Sequence, residues 1–188
     1  MKKSFKSIPC LLALSLFVSI LFVLLADSAA LLLQHRREQQ YYTAVLQAAE
    51  EFGVPFPLIM AVIRTESGFR PRAVSSAGAI GLMQLLPETF QDIGARLLNE
   101  SPDGASILSP AENIRYGTCY LGYLYQQFES WETALAAYNA GEGRVQSWLE
   151  NPALSTDGVL TVIPYPETMR YVQNVMSALA YYREKYKF

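Results

Sequence analysis

The chain has 188 residues, of which 51% are hydrophobic, with two cysteines, one histidine and a formal net charge of −2. This length accommodates one domain with a proper core, and a second domain of ordinary size is not expected. Beyond Asp27 the chain carries 12 basic and 16 acidic residues, a balance that excludes a typical nucleic-acid binder.

The amino-terminal segment contains an uncharged apolar run from Ile8 to Ala26. As a helix this run would span about 28 Å, close to the roughly 30 Å hydrocarbon core of a bilayer. We therefore predict a membrane anchor at about residues 8–26, followed by a juxtamembrane linker that ends at residue 38. The small residues Ala26, Ser28 and Ala30 leave a cleaved secretory signal as the alternative, although the apolar core of such a signal has only about 7 to 15 residues.

The charges that flank the anchor predict its orientation. Lys2, Lys3 and Lys6 precede the apolar run, and the positive-inside rule keeps such residues in the cytoplasm. The remainder of the chain is then expected outside the cytoplasm, either on a single-pass anchor or secreted after signal cleavage. Cys10 would lie in the bilayer and could not pair with Cys119, which we expect to be buried in the core.

From Gln39 onward, apolar residues recur at helical spacing between glycines and prolines, and no run alternates with a period of two. We predict an all-α domain over residues 39–188, with residues 151–164 as a loop. Ser109 to Glu112 has the pattern of a capping box, and the helix that follows is expected to bury a stripe of residues. The predicted helices are Gln39–Phe52, Pro57–Ser67, Pro87 to about Asn99, one from Pro110 that carries residues as far as Phe128, Trp131 to about Asn139, a short one near Arg144–Leu149, and Pro166 to about Tyr186.

Glu66 is the candidate for acid chemistry. It follows Val62 by four residues and Ile59 by seven, so its carboxyl shares a face with the apolar stripe of its helix. It also lies in the last turn, where the helix dipole opposes a negative charge. Both effects raise the pKa of a carboxyl group, and a carboxylic acid that keeps its proton can protonate a glycosidic oxygen. An isolated glutamate at a helix end would more often extend into water or pair with Arg70.

Four blocks of sequence, in this order, resemble the signature blocks of the soluble lytic transglycosylase family. The resemblance covers about Tyr41 to Tyr186, and the joint occurrence of the blocks is more specific than any one of them. The blocks are Glu66-Ser67, Ser75 with Gly78-Ala79-Ile80-Gly81-Leu82-Met83-Gln84, Ala137-Tyr138-Asn139-Ala140-Gly141, and Glu167-Thr168-Met169-Arg170-Tyr171-Val172.

This resemblance implies a goose-type, lysozyme-like helical fold and an enzyme that cuts the glycan strands of peptidoglycan. In the family, the matching glutamate protonates the bond between N-acetylmuramic acid and N-acetylglucosamine. It then takes a proton from the C6 hydroxyl of the muramic acid, so that no water enters and a 1,6-anhydro sugar is formed. The resemblance further implies that Ser75 and Gln84 position the sugar and that Tyr138 contacts and orients the carboxyl of Glu66.

Two residues of these blocks have less definite roles. Asn139 belongs to the same block as Tyr138 and is expected in the groove. Glu167 matches a groove carboxylate of the family, which implies binding and not a second catalyst. An acid in the first turn of a helix is equally ordinary capping chemistry, so both interpretations of Glu167 stand.

Other kinds of site are not indicated. The single histidine, His35, adjoins the apolar segment, so the domain has no histidine for a catalytic triad or a zinc site, and neither a metal nor a cofactor is expected. Hydrolases of this type usually pair two carboxylates about 5 to 9.5 Å apart, whereas Glu88 and Asp92, the next acids after Glu66, fall in a separate predicted helix. A lysozyme-like hydrolase and a catalytically idle wall-binding module are the alternatives. The sequence carries no signal for exo or endo action, biological role, oligomeric state or protein partners.

Overall fold

The computed structural model of the protein describes residues 8–187, with side chains from residue 14. The lysines on which the predicted orientation depends, Lys2, Lys3 and Lys6, lie outside the described residues, as does the side chain of Cys10. The chain divides into two compact units, of which the first ends at Gln39 and the second begins at Gln40.

Helix α1 begins at Ile8 and ends at Phe52. Its large side chains in the first unit are exposed, for example Phe22 at 72%, and among the described residues it is the one helix long and apolar enough to cross a membrane. The hydroxyl of Ser28 donates to the carbonyl oxygen of Leu24, one turn earlier in the same helix, at 2.8 Å. The predicted helix start at Gln39 was wrong, because residues 27–39 contain neither glycine nor proline to interrupt a helix.

The second unit is all-α apart from one short hairpin, which confirms the predicted fold class. A π-helical turn continues α3, and the longest connections lie between α2 and α3 and between α6 and α7. The elements are α2 Phe56–Ser67, α3 Pro87–Ile93, the π-helical turn Gly94–Leu98, a 3₁₀ turn Ser106–Leu108, α4 Pro110–Phe128, α5 Trp131–Ala140, α6 Glu142–Leu149, β1 Ser155–Thr156, β2 Val159–Leu160 and α7 Pro166–Tyr186.

Helix boundaries follow glycine and proline, as predicted. Helix α2 ends at Gly68, whose left-handed backbone (φ 57°) lets its N–H donate to the carbonyl oxygen of Arg64. Proline occupies the first turn of α2, α3, α4 and α7. The predicted capping box was wrong: Ser109 is the N-cap residue, but its side chain makes no capping hydrogen bond. Pro110 already has a helical φ and lacks an N–H, so the start of α4 does not depend on a serine cap.

The core of the second unit surrounds α2, in which every residue from Phe56 to Ile63 is buried. Helix α2 packs against α7, α7 packs against α5, and α5 packs against α4. The stripe predicted for α4 lies in this core, with Phe128 at its edge. The stripe comprises Ile114, Gly117, Leu121, Leu124 and Phe128.

The segment over residues 151–164 is more ordered than the loop that was predicted there. Strands β1 and β2 form an antiparallel hairpin in which Ser155 lies opposite Leu160 and Thr156 opposite Val159. Its turn residues, Asp157 and Gly158, both have positive φ. An Asp-Gly pair is a strong local signal for such a turn, and the hairpin could therefore have been found from the sequence.

Candidate active site

Glu66 lies in the last turn of α2 and lines a cavity of about 470 Å³. We call this the Glu66 cavity. The structure brings all six predicted site residues to its walls, although they come from α2, the loop that follows it, α5 and α7. The six are Glu66, Ser75, Gln84, Tyr138, Asn139 and Glu167.

Burial raises the pKa of the Glu66 carboxyl from an ordinary 4.5 to about 7. Loss of hydration is the main cause, and its direction is the one predicted from the apolar face of the helix. The alternative pairing with Arg70 is not among the ion pairs of the described residues, and the Nε of Arg70 donates to the carbonyl oxygen of Ser67 at 2.8 Å. Glu66 can therefore hold a proton near neutral pH while remaining open to the cavity.

Tyr171, on α7, is the tyrosine whose hydroxyl acts on the Glu66 carboxyl. It favours the ionised carboxyl and so partly offsets the effect of burial on the pKa. The buried hydroxyl makes no hydrogen bond of normal geometry with any described residue, so this is a close polar contact and not a well-formed bond. Burial and the nearby Glu66 charge raise the pKa of Tyr171 well above its usual range, which keeps the hydroxyl neutral.

Tyr138 lies near Glu66, the residue that the family resemblance implied it would orient. It lines the Glu66 cavity, but its hydroxyl donates to the backbone carbonyl oxygen of Met83 at 2.8 Å. That Tyr138 orients the carboxyl of Glu66 stays a prediction. The one proton of the Tyr138 hydroxyl is thus donated to the loop after α2, and its oxygen can still accept a hydrogen bond. Burial and the nearby Glu66 charge raise the pKa of Tyr138 well above its usual range.

The loop between Arg70 and Pro87 forms one wall of the cavity through its own backbone hydrogen bonds. Ile80 exchanges two of these with Leu85, at 2.8 and 3.0 Å. Ser75 and Ala79 close a tighter turn, in which the Ala79 N–H donates to the Ser75 hydroxyl oxygen at 3.0 Å and the Ser75 N–H donates to the Ala79 carbonyl. The Ser75 hydroxyl thus shapes the loop and keeps its own proton available for a ligand.

Asn113, in the first turn of α4, is 1% exposed and holds this loop in place through its side-chain hydrogen bonds. Its Oδ1 accepts from the Met83 N–H at 2.8 Å, and its Nδ2 donates to the carbonyl oxygens of Ile80 and Ile107. The hydroxyl of Ser67 reaches the carbonyl oxygen of Leu82 at 2.8 Å. These buried bonds fix the loop backbone next to Glu66, since breaking them would leave unpaired polar groups in the core.

Gln84 uses both of its amide protons within the loop. Its Nε2 donates to the carbonyl oxygens of Ala73 and Gly81, at 3.1 and 2.9 Å. With both amide protons engaged, only its side-chain oxygen remains to accept a hydrogen bond from a ligand. Gln84 can therefore contact a sugar hydroxyl as an acceptor.

Asn139 and Glu167 are the two remaining predicted site residues, and Glu167 brings a second carboxylate to the Glu66 cavity. Asn139 and Glu167 are exposed, near the end of α5 and in the first turn of α7. Glu88 and Asp92 line a neighbouring cavity instead. Among the described residues that line the Glu66 cavity, the carboxylates are Glu66 and Glu167.

The sequence prediction missed the parts played by Tyr171 and Asn113. Tyr171 follows Glu167 by four residues and so shares a helix face with it, a spacing that could have placed both at the site. Asn113 carried no signal, because its contacts join positions about 30 residues apart.

The family model for the transglycosylase SLT domain matches residues 43–157. The chain is 44% identical over 128 residues to the soluble lytic murein transglycosylase of Salmonella typhimurium and 42% identical over 134 residues to that of Escherichia coli, covering 66% and 69% of this chain. It is 32% identical over 161 residues to membrane-bound lytic murein transglycosylase C of Actinobacillus pleuropneumoniae, covering 76% of this chain and 44% of that protein.

Solved structures agree with these relationships. The 70 kDa soluble lytic transglycosylase of Escherichia coli matches with a TM-score of 0.69 and 37% identity, and an inactive mutant of lytic transglycosylase Slt from Pseudomonas aeruginosa matches with a TM-score of 0.69 and 35% identity. Each match covers 77% of this chain and 24% of the other. The chain spans about a fifth of the length of the soluble curated relatives, at 20% and 21%. Because the family model matches more than half of its residues, the chain belongs to the transglycosylase SLT domain family.

Proposed function

We propose that the chain is a peptidoglycan lytic transglycosylase. It cleaves the β-1,4 bond between N-acetylmuramic acid and N-acetylglucosamine without water and leaves a 1,6-anhydro muramic acid end. The observation that carries this proposal is the position of Glu66. Its carboxyl has a pKa of about 7 and lines a cavity of about 470 Å³. The SLT domain match and the named relatives support the same substrate and reaction.

In the first step the protonated Glu66 donates its proton to the oxygen between the two sugars. The bond from that oxygen to C1 of the muramic acid breaks, its electron pair stays on the oxygen, and the N-acetylglucosamine end leaves as an alcohol. Positive charge develops on the muramic acid ring as this bond breaks. The Glu66 carboxylate formed in the same step then lies beside this charge and stabilises it.

In the second step the carboxylate acts as a base. It takes the proton of the C6 hydroxyl of the same muramic acid, whose oxygen closes onto C1. Glu66 is thereby reprotonated, and no water is consumed. A group that serves first as acid and then as base works best when its pKa lies near the ambient pH, which the burial of Glu66 supplies.

Product analysis tests the reaction directly. Isolated sacculi are digested with the full chain in detergent, and the muropeptides are separated and weighed by mass spectrometry. The proposal expects 1,6-anhydro ends from the unchanged protein and none from Glu66→Gln. Glu132→Gln, an exposed acid in the first turn of α5, serves as the matched control and should retain full activity.

A lysozyme-like hydrolase is the second candidate, since Glu167 places another carboxylate at the walls of the Glu66 cavity. That enzyme would leave reducing ends that are heavier by one water. Reducing ends from the unchanged protein, lost in Glu167→Gln as well as in Glu66→Gln, would replace the transglycosylase by the hydrolase. If no new ends form while the protein still sediments with sacculi, the chain is a wall-binding module.

We further propose that α1 anchors the protein in the membrane as a single span, with the second unit outside the cytoplasm. The exposed apolar side chains of α1 and its hydropathy support this, and a membrane-bound relative is consistent with it. The intact mass of the protein in the membrane fraction tests whether α1 is retained. Protease added to the outside of spheroplasts tests on which side of the membrane the second unit lies. A shortened protein in the soluble fraction would favour secretion after signal cleavage.

A further inference from the structure

A cavity of about 470 Å³ lies in the second unit at the start of α2 and the end of α7, and the proposed reaction does not use it. We call it the Phe56 cavity. Its walls come from the last two turns of α1, the connection to α2, the first turn of α2 and the last turn of α7. Most of the residues that line it are apolar, namely Leu46, Ala49, Pro55, Phe56 and Pro57.

A cluster of aromatic rings holds the floor of the Phe56 cavity. Phe56 is 3% exposed, and its ring centroid lies 4.9 Å from that of Tyr42 and 5.1 Å from that of Tyr186. The rings of Tyr42 and Tyr186 are themselves 5.7 Å apart, so α1, α2 and α7 each contribute one ring to a closed group. The cavity is therefore formed before any partner binds, and its floor need not be rearranged.

The Phe56 cavity is separate from the proposed site of catalysis. Phe56 opens α2 and Glu66 follows ten residues later, about 15 Å along the helix axis. Arg183, which lines the Phe56 cavity, and Glu167 are 16 residues apart on α7, about 24 Å along its axis. The two cavities share no wall residue among those that the structure describes. An occupant of the Phe56 cavity would leave the Glu66 cavity open to a glycan strand.

Two charged side chains of opposite sign lie on different walls of the Phe56 cavity. Glu50 belongs to α1 and Arg183 to α7, and both are exposed. Neither takes part in an ion pair within the described part of the chain. The acceptors of the carboxylate and the donors of the guanidinium group can therefore bind charges on a partner.

From these observations we infer that the Phe56 cavity is a docking surface for a second copy of this chain. A two-fold axis through the apolar lining would place Glu50 of each copy opposite Arg183 of the other, so one surface supplies both complementary charges. A purely basic or purely acidic partner would satisfy only one of them, and Glu50 disfavours an anionic lipid surface. Two ion pairs around one cavity make a small interface, so we expect a Kd of about 1 μM or above.

Sedimentation equilibrium of the full chain in a density-matched detergent tests the pairing. The mass of the unchanged protein should rise from monomer to dimer as the protein concentration increases. Glu50→Arg alone, and Arg183→Glu alone, would each replace two attractive contacts by two repulsive ones. Each should therefore weaken the dimer by roughly a hundredfold or more.

Mixing the two variants is the sharpest part of the test. A copy with Glu50→Arg has two basic groups at the cavity, and a copy with Arg183→Glu has two acidic ones. The equimolar mixture should form a mixed dimer with about the affinity of the unchanged protein, and the chain with both changes should pair with itself. Because both side chains are exposed and unpaired, the variants should keep the fold and the release of anhydro ends.

Glu150→Arg is the matched control. It reverses an exposed acid at the end of α6, outside the Phe56 cavity, and should leave the dimer unchanged. The pairing would be overturned by an unchanged protein that stays monomeric at every concentration, or by a mixture that fails to restore the dimer. Single variants that still dimerise fully would place the contact on another surface, such as α1. A monomer that retains phospholipid in native mass spectra, and loses it on Arg183→Glu, would assign the cavity to a lipid.

Discussion

The hydroxyl of Tyr138 and the carbonyl oxygen of Met83 are 2.8 Å apart, and their hydrogen bond joins α5 to the loop that follows α2. The N–H of Met83 is bonded in turn to Asn113 of α4. Both polar groups of one loop residue are therefore held by side chains from two helices. The cavity wall beside Glu66 is fixed from two directions, which limits how far it can move when a ligand binds.

Tyr138→Phe tests this bond, because it keeps the ring and removes only the hydroxyl. The Met83 carbonyl would lose its partner at a half-buried position, so the free energy of unfolding should fall by about 1 to 3 kcal/mol. The rate constant for release of anhydro ends should fall as well, since the loop would be less firmly placed. Chemical denaturation and product release measure the two effects.

Tyr125→Phe is the control for Tyr138→Phe. Tyr125 is 37% exposed and stacks on Trp131 through its ring, with centroids 4.0 Å apart. Losing its hydroxyl should change neither stability nor activity. If the two variants behave alike, the bond from Tyr138 to Met83 does not stabilise the loop.

The pH dependence of cleavage should report the pKa of Glu66. The proton donor is the protonated carboxyl, whose pKa is about 7. We therefore expect kcat/KM to fall above about pH 7, approaching tenfold per pH unit in the alkaline limb. Initial rates on soluble glycan strands across the pH range provide the measurement, and a fall that begins near pH 4.5 would contradict the raised pKa.

Tyr171→Phe should move this alkaline limb to higher pH. The Tyr171 hydroxyl lowers the pKa of Glu66, so its removal should raise that pKa further above its ordinary value. Because the hydroxyl forms no hydrogen bond of normal geometry with the described residues, the variant should lose little stability. A limb that stays in place, or moves to lower pH, would show that Tyr171 does not act on the acid.

Local signals in the sequence predicted much of the fold. Gly68 and Pro166 mark helix boundaries through their own backbone preferences, so the end of α2 and the start of α7 were predicted correctly. The position of Glu66 on an apolar face likewise predicted the direction of its pKa shift. In each case the cause lies within one or two helical turns of the residue.

Contacts between distant parts of the chain were not predicted. The bonds of Asn113 to the loop, and of Tyr138 to Met83, join residues 30 to 55 positions apart. No periodicity encodes such pairings, because they depend on how α4 and α5 pack beside α2. The same reason explains why the effect of Tyr171 on the carboxyl of Glu66 was not predicted.

Stability should also depend on pH through Glu66. Its folded pKa of about 7 lies above the ordinary 4.5, so the folded state binds more protons between these values. The stabilising contribution is complete below about pH 4.5 and is lost as the pH rises through 7. Relative to Glu66→Gln, the unchanged protein should lose at most about 3 kcal/mol over this interval.

Denaturation of both proteins from pH 4 to 8 measures the difference, and the comparison cancels the other titrating groups. Glu66→Gln should be the more stable protein at pH 8, because its neutral amide is not ionised in the partly dehydrated site. A constant difference across the range would mean that the carboxyl titrates normally.

Gly81 should be the least replaceable glycine of the cavity wall. Its φ of +87° is unfavourable for any residue with a Cβ, and a Cβ there would lie 2.3 Å from the Nδ2 atom of Asn113. Gly81→Ala would therefore strain the backbone and displace the asparagine that supports the loop. We expect a loss of about 2 to 4 kcal/mol in the free energy of unfolding, together with a loss of cleavage.

Gly143→Ala is the matched change at a site without these constraints. Gly143 lies inside α6, and a Cβ there would meet nothing within 4 Å. Alanine is the better helix former, so this variant should gain about 0.5 to 1 kcal/mol and keep its activity. Thermal or chemical denaturation of the two alanine variants should therefore show changes of opposite sign. Equal effects would mean that the contact between Gly81 and Asn113 does not hold the loop in place beside Glu66.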